Sequence, residues 1–180
     1  KKGAFPIQFK DWEMLEKLVQ RMLELEVMNL KVKDFLDCAL FDVCYVWDVS
    51  GIRKKCIFDI LSVVEQDGQK VVVGFDLKLS RSVSGFAQDY RTRYWIQERH
   101  YSEAIGQYAK ELGPDVADIP MLIFLAGYKD IEVVQEVSID LDNLDLATDK
   151  YQELCYEYDQ WATEGKPVSG HLDKKFLRIY

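Results

Sequence analysis

The sequence has no pair of cysteines at C-x-x-C spacing, and none of its four cysteines (Cys38, Cys44, Cys56, Cys155) has a histidine at ligand spacing. A zinc or iron–sulfur centre therefore has no support. Cys44 and Cys56 lie in apolar, strand-like runs, and the four thiols are expected to be buried and inert. No apolar stretch approaches the roughly 18–20 residues that cross a bilayer. The longest, Ile119 to Tyr128, is interrupted by Pro120 and reads as a buried strand. A charged, then apolar, then small-residue signal segment is missing at the N-terminus. These absences lead us to expect a cytoplasmic protein without disulfides or a membrane partner. The start at Lys1-Lys2-Gly3, without Met, leads us to expect a truncated or processed N-terminus. Neither a repeat nor a Pro/Gly/Ser-rich linker divides the 180 residues, which suits one domain spanning 1–180.

Positive charge is also scarce. Twenty-three Lys and Arg against 31 Asp and Glu leave a net charge of −8, which argues against a protein that coats nucleic acid through a broad basic surface. A nuclease remains open, because its acids hold cations and its basic groups line one groove only. Arg81, Arg91, Arg93 and Arg99 gather on and just before one helical stretch. The simpler reading of that cluster is a solvated helix face.

What is present is a regular alternation of periods. Apolar residues at helical spacing (Trp12, Leu15, Leu18, Val19, Leu23, Val27) predict a helix from Asp11 to about Asn29, with a short second helix over Val32 to Leu40. Strands are predicted over Val43–Asp48, Lys55–Val64 and Val71–Leu79, with turn signals at Ser50-Gly51 and Gln66-Asp67-Gly68-Gln69. A helix starting at Ser82 to Gly85 runs to Leu112 and stops at Gly113-Pro114. Two further strands, Met121–Gly127 and Ile131–Ile139, precede a last helix over Thr148 to about Thr163 and an irregular tail from Gly165. Helices can thus cover a central mixed sheet, an α/β architecture.

The informative residues are Asp59 and the run Gly74-Phe75-Asp76-Leu77-Lys78. In a strand, Asp76 and Lys78 project from one side while Phe75 and Leu77 project from the other. The Asp67-Gly68 turn makes the two strands antiparallel neighbours, which can bring Asp59 near Asp76. Two carboxylates in one place repel unless a cation lies between them, and Mg²⁺ or Mn²⁺, which prefer oxygen ligands, would serve. Such an ion acidifies water and neutralises phosphate charge, and a neighbouring lysine orients the water. The simpler alternative is a strand-edge acid beside a structural Asp76–Lys78 ion pair. On the next helix Gln97 and Tyr101 share a face. Tyr90, Tyr94 and Tyr108 continue that stripe, and Tyr94 and Tyr108 read as core. A glutamine in such a stripe needs a polar partner. His100 lies off the stripe beside the arginines and is expected at the surface, and His171 carries no signal.

In order and spacing, Asp59, then Asp76-Leu77-Lys78, then Gln97-Glu98-Arg99-His100-Tyr101 resembles the RecB-like branch of the PD-(D/E)XK nucleases, with its Q-x-x-x-Y motif. Val46 to Ile52 and the segment around Trp161 to Lys166 are similar to the phage-type, RecE-like exonucleases. The resemblance covers roughly residues 40 to 165. It implies a restriction-endonuclease-like core and a metal-dependent DNA exonuclease of phage-type recombination or repair. Asp59, Asp76 and the Leu77 backbone carbonyl would bind Mg²⁺ or Mn²⁺, and Lys78 would be the catalytic lysine. Gln97 and Tyr101 would shape the site and, with Arg91 and Arg93, contact DNA. A single-strand annealing protein and a homo-oligomer are the further partners it implies. The family's usual upstream acid or histidine has no clear match, and Asp42, Glu24 and Glu26 are the candidates. Ile57-Phe58 stands where Arg-Pro often precedes the first Asp. The missing cysteine set excludes the iron–sulfur members, including the CRISPR-associated ones. Two other readings stay open: a catalytically silent domain of this fold that binds nucleic acid or protein, and an unrelated α/β protein.

Overall fold

The computed structural model describes residues 9–117, 121–130, 132–139 and 141–164. Five strands form the central sheet in the order β3 (Ala39–Val49), β4 (Ile52–Gln66), β5 (Gln69–Ser80), β6 (Met121–Tyr128) and β7 (Val133–Val137). All neighbouring pairs are antiparallel except β5 and β6, which run parallel. The architecture is α/β, a mixed sheet with helices on its faces, consistent with a restriction-endonuclease-like core.

The two tight turns follow from their residues. Ser50-Gly51 and Asp67-Gly68 both take positive φ at their two central positions (52° and 83°, 51° and 78°). Two-residue hairpins with this geometry match the right-handed strand twist, and Gly at the second position adopts it without a Cβ clash. The sheet separates two apolar layers. On one face Phe58, Leu61, Val72 and Phe124 pack under α4 (Trp95–Leu112) through Ala104, Ile105 and Ala109. On the other, Ile60, Val73, Phe75 and Ile123 pack with Phe35 and Met22 of the N-terminal helices. α5 (Leu141–Glu164) lies against α4.

Several boundaries move from the sequence expectation. Helix α1 (Phe9–Glu24) ends five residues early, and a small hairpin of β1 (Glu26–Val27) and β2 (Leu30–Lys31) turns through Met28 and Asn29, both at positive φ. Burial of Val27, Val32 and Phe35 against the sheet outweighs the helical periodicity there. Helix α2 is Val32–Leu36 only, because β3 begins at Ala39. The long third helix is interrupted: α3 (Val83–Asp89) passes into a π-helical turn, Tyr90–Tyr94, before α4. Helix α5 starts seven residues ahead of Thr148. The tail from Gly165 lies outside the described residues. Cys56 is buried as expected, whereas Cys38 and Cys44 are exposed on and beside the edge strand β3. Among the described residues no helix is long and apolar enough to cross a membrane.

Candidate active site at the fork of the central hairpin

The β4–β5 ladder ends at Ile60↔Phe75, although β4 begins at Ile52 and β5 continues to Ser80. Asp59 and Asp76 are the next opposed positions beyond that last rung. The strands part there, and a kink in β4 accompanies the parting. Cys56 and Phe58 belong to the layer under α4, Ile60 and Val64 to the opposite layer, and Leu61 again to the first. Side-chain alternation therefore slips between Phe58 and Ile60. On β3 the residue across from this slip is Asp42, at φ 52°, between the Phe41↔Ile60 and Val43↔Phe58 pairs. Asp tolerates positive φ better than most residues, so Asp42 supplies the local bend.

The Asp59 carboxylate accepts the Leu77 backbone N–H at 2.7 Å, a side chain replacing the rung that the backbone no longer makes. In a strand the N–H and C=O of one residue point to the same edge. The Leu77 carbonyl is thus turned to the β4 side, into the fork. Asp76 is 4% exposed and faces α4, where Gln97 Nε2 donates to its Oδ2. Lys78 forms an ion pair with Oδ1. The Lys78 ammonium is the partner of the buried Oδ1, which has no other among the described residues. Burial, and further the Asp59 charge, raise the Asp76 carboxyl above its ordinary range, against the downward pull of Lys78 and Gln97.

The Lys78 ammonium sits 5.1 Å from the Tyr94 ring centroid and 5.5 Å from that of Phe124. Tyr94 carries the Arg93 guanidinium at 5.0 Å as well, so a cation–aromatic path leads from the fork to the surface. Arg93 also pairs with Asp89 at 3.0 Å, and Arg91 is exposed on the same π-helical turn. Tyr101 packs edge-on against Phe58, 5.2 Å between centroids, and its hydroxyl is reached by the Ile57 backbone and by Gln97. Burial raises the Tyr101 phenol.

The fork thus gathers Asp59, Asp76, Leu77, Lys78, Gln97 and Tyr101. Other sequence candidates fall elsewhere. Glu24 is held by Lys31 and Lys33 beside the N-terminal hairpin, which drives its carboxyl down to about 2. Among the described residues no group of three or more His, Cys, Asp or Glu could hold a metal ion, so Asp42, Glu24 and Glu26 do not complete such a group with the two aspartates. Arg99 lines a cavity between α4 and α5 instead of joining Arg93, and Arg81 is exposed beyond the end of β5, 3.9 Å from Asp130. His100 is half-buried and turned into the fold. Its ring lies 4.9 Å from that of Trp47, and both nitrogens are hydrogen-bonded within the fold.

Glu98 was missed. It is 5% exposed, accepts the Tyr90 hydroxyl at 2.6 Å and the Ile139 N–H at 2.8 Å, and so ties the π-helical turn to the segment before α5. An acid continuing the Tyr90, Tyr94 spacing of four was the available signal. A cavity of ≈ 490 Å³ lies beside Lys54, Tyr151 and Cys155 and not at Asp76.

The donor set suits a hard divalent cation. Two carboxylates, one buried and neutralised by a single lysine, and a carbonyl turned the same way are all oxygen ligands. Mg²⁺ characteristically takes one or two carboxylates and fills its octahedron with water and phosphate oxygens.

No protein-family model matches the chain, and no curated protein does. Among solved structures it is similar to a Eubacterium rectale protein described as "Putative exonuclease", at 13% identity and a TM-score of 0.55, over 100% of this chain and 64% of that one. This chain therefore spans under two thirds of that protein's length. The likeness shows a shared fold and, at that identity, nothing of activity.

Proposed function

We propose that this chain is a Mg²⁺- or Mn²⁺-dependent DNA phosphodiester hydrolase of the PD-(D/E)XK class, an exonuclease of phage-type recombination or repair. The observation that carries the reading is the buried Asp76 carboxylate, paired with Lys78 and held by Gln97, beside Asp59, whose own carboxylate accepts the Leu77 N–H. The two carboxylates and the Leu77 carbonyl would hold the cation, which when bound lowers the pKa of a water and neutralises phosphate charge.

The remaining roles belong to the chain itself. Gln97 fixes one Asp76 oxygen, and Lys78 pairs with the other. The rings of Tyr94 and Phe124 keep the Lys78 ammonium at the fork. From there it orients the attacking water and stabilises charge growing on the phosphate. Arg91 and Arg93 receive the DNA backbone, with Gln97 and Tyr101 at the inner end of the same path.

The test is digestion of linear duplex and single-stranded DNA with Mg²⁺ or Mn²⁺, beside a chelator control and the Lys78→Ala variant. Metal-dependent cleavage by the wild type is expected, with turnover lowered about 10²–10³-fold or more in the variant. Equal inertness of both proteins on every DNA form would leave a silent binding domain as the surviving reading.

A further inference from the structure

We propose that His100 is a positioning residue for Asp59, standing in for the strand that β4 lacks along its open edge. The proposal rests on the nuclease reading for its kinetic part only.

Beyond the last β4–β5 rung, residues 52–58 of β4 pair with β3 alone. An unpaired strand edge exposes N–H and C=O groups that need partners. Side chains take over along the vacated side. The Lys55 carbonyl accepts His100 Nε2–H at 3.0 Å. Asp59 reaches across to the Leu77 N–H with its own carboxylate. Helix α4 thus supplies through His100 a partner that β5 supplies in the closed half of the hairpin. Removing the first of these contacts frees the segment that aims Asp59.

The His100 ring is itself locked. Lys54 Nζ lies 3.2 Å from the Tyr151 hydroxyl, and that hydroxyl lies 2.8 Å from His100 Nδ1. An ammonium only donates and a carbonyl only accepts, so Lys54 donates to Tyr151 and Nε2–H donates to Lys55. Burial holds the imidazole pKa below its ordinary value and favours the neutral ring, in which Nδ1 accepts the Tyr151 hydroxyl. Lys54 is anchored in turn by Glu103 at 2.9 Å, and Glu103 accepts Trp47 Nε1 at 2.8 Å. Tyr151 belongs to α5, so α5 supports the fork through one histidine.

Three variants and two readouts decide the matter: turnover with KM, and hydrogen exchange at the Leu77 amide, which the Asp59 carboxylate protects. His100→Ala is expected to lower kcat about 10- to 100-fold, with KM within about twofold, and to speed Leu77 exchange about tenfold. His100→Gln keeps an N–H that can reach Lys55 and should recover part of both. Tyr151→Phe keeps the ring, loses the donor to Nδ1 and should fall between. If His100→Ala does not fold, the two milder variants carry the test. Unchanged kcat and unchanged Leu77 exchange in the folded variants overturn the proposal. If the wild type cleaves no DNA, the nuclease reading fails separately, and Leu77 exchange alone decides: faster exchange sustains the positioning role, and unchanged exchange ends it.

Discussion

The closed and open ends of the β4–β5 hairpin obey different rules. From Ile60↔Phe75 down to the Asp67-Gly68 turn, every rung is a backbone pair, and Leu61, Val72, Val73 and Phe75 are sealed between two apolar layers. From Asp59 and Asp76 outward the rungs are replaced by side chains, and the Asp76 carboxylate lies buried between Lys78 and Gln97. Backbone pairing needs only the right φ and ψ, so any apolar, β-branched sequence can supply it. A side-chain rung needs a particular residue at a particular place. The closed end is accordingly where the hairpin gains stability, and the open end is where specific chemistry can be held.

That contrast can be broken by substitution. Phe75→Ala at the closed end removes a fully buried ring that packs edge-on against Phe35 at 5.1 Å. It is expected to cost about 3–5 kcal/mol, read by chemical denaturation. At the open end Asp76→Asn should do the reverse. Burial holds the Asp76 carboxyl above its unfolded value, so ionising it costs stability, and the cost grows as pH rises from the unfolded pKa through the folded one. The metal-free variant is therefore expected to melt a few degrees above wild type near neutral pH, while DNA cleavage is lost. A lower melting temperature would mean that the Lys78 pair outweighs burial. The smallest effect is expected for His100. Its depressed pKa means that the unfolded chain takes up a proton which the folded one refuses. Its contribution is intact above the unfolded value and is lost as pH falls from about 6.5 toward the folded one. The stability difference between about pH 7.5 and about pH 5.5 should shrink in His100→Gln.

Much of the closed end could be read from the sequence, because period-2 apolar runs and an Asp-Gly turn are local signals. The face shared by Asp76 and Lys78, and the pairing of their strand with that of Asp59, followed from the same alternation. The open end was less legible. The slip in β4 depends on the conformation of Asp42 in another strand. The inward-turned place of His100 depends on Tyr151, 51 residues away, and helical spacing alone put it on the wrong side. The early end of α1 had no local mark, since Val27 fits a helix as well as it fits the small hairpin. The π-helical turn was hidden by residues of ordinary helix propensity.

The most direct test is calorimetric titration of Mn²⁺ into the metal-free protein and into folded Asp59→Asn and Asp76→Asn. One oxygen-ligated site in the wild type, abolished by either substitution, is the expected result. No binding to the wild type, or binding that survives both substitutions, would contradict the convergence of the two aspartates on one cation.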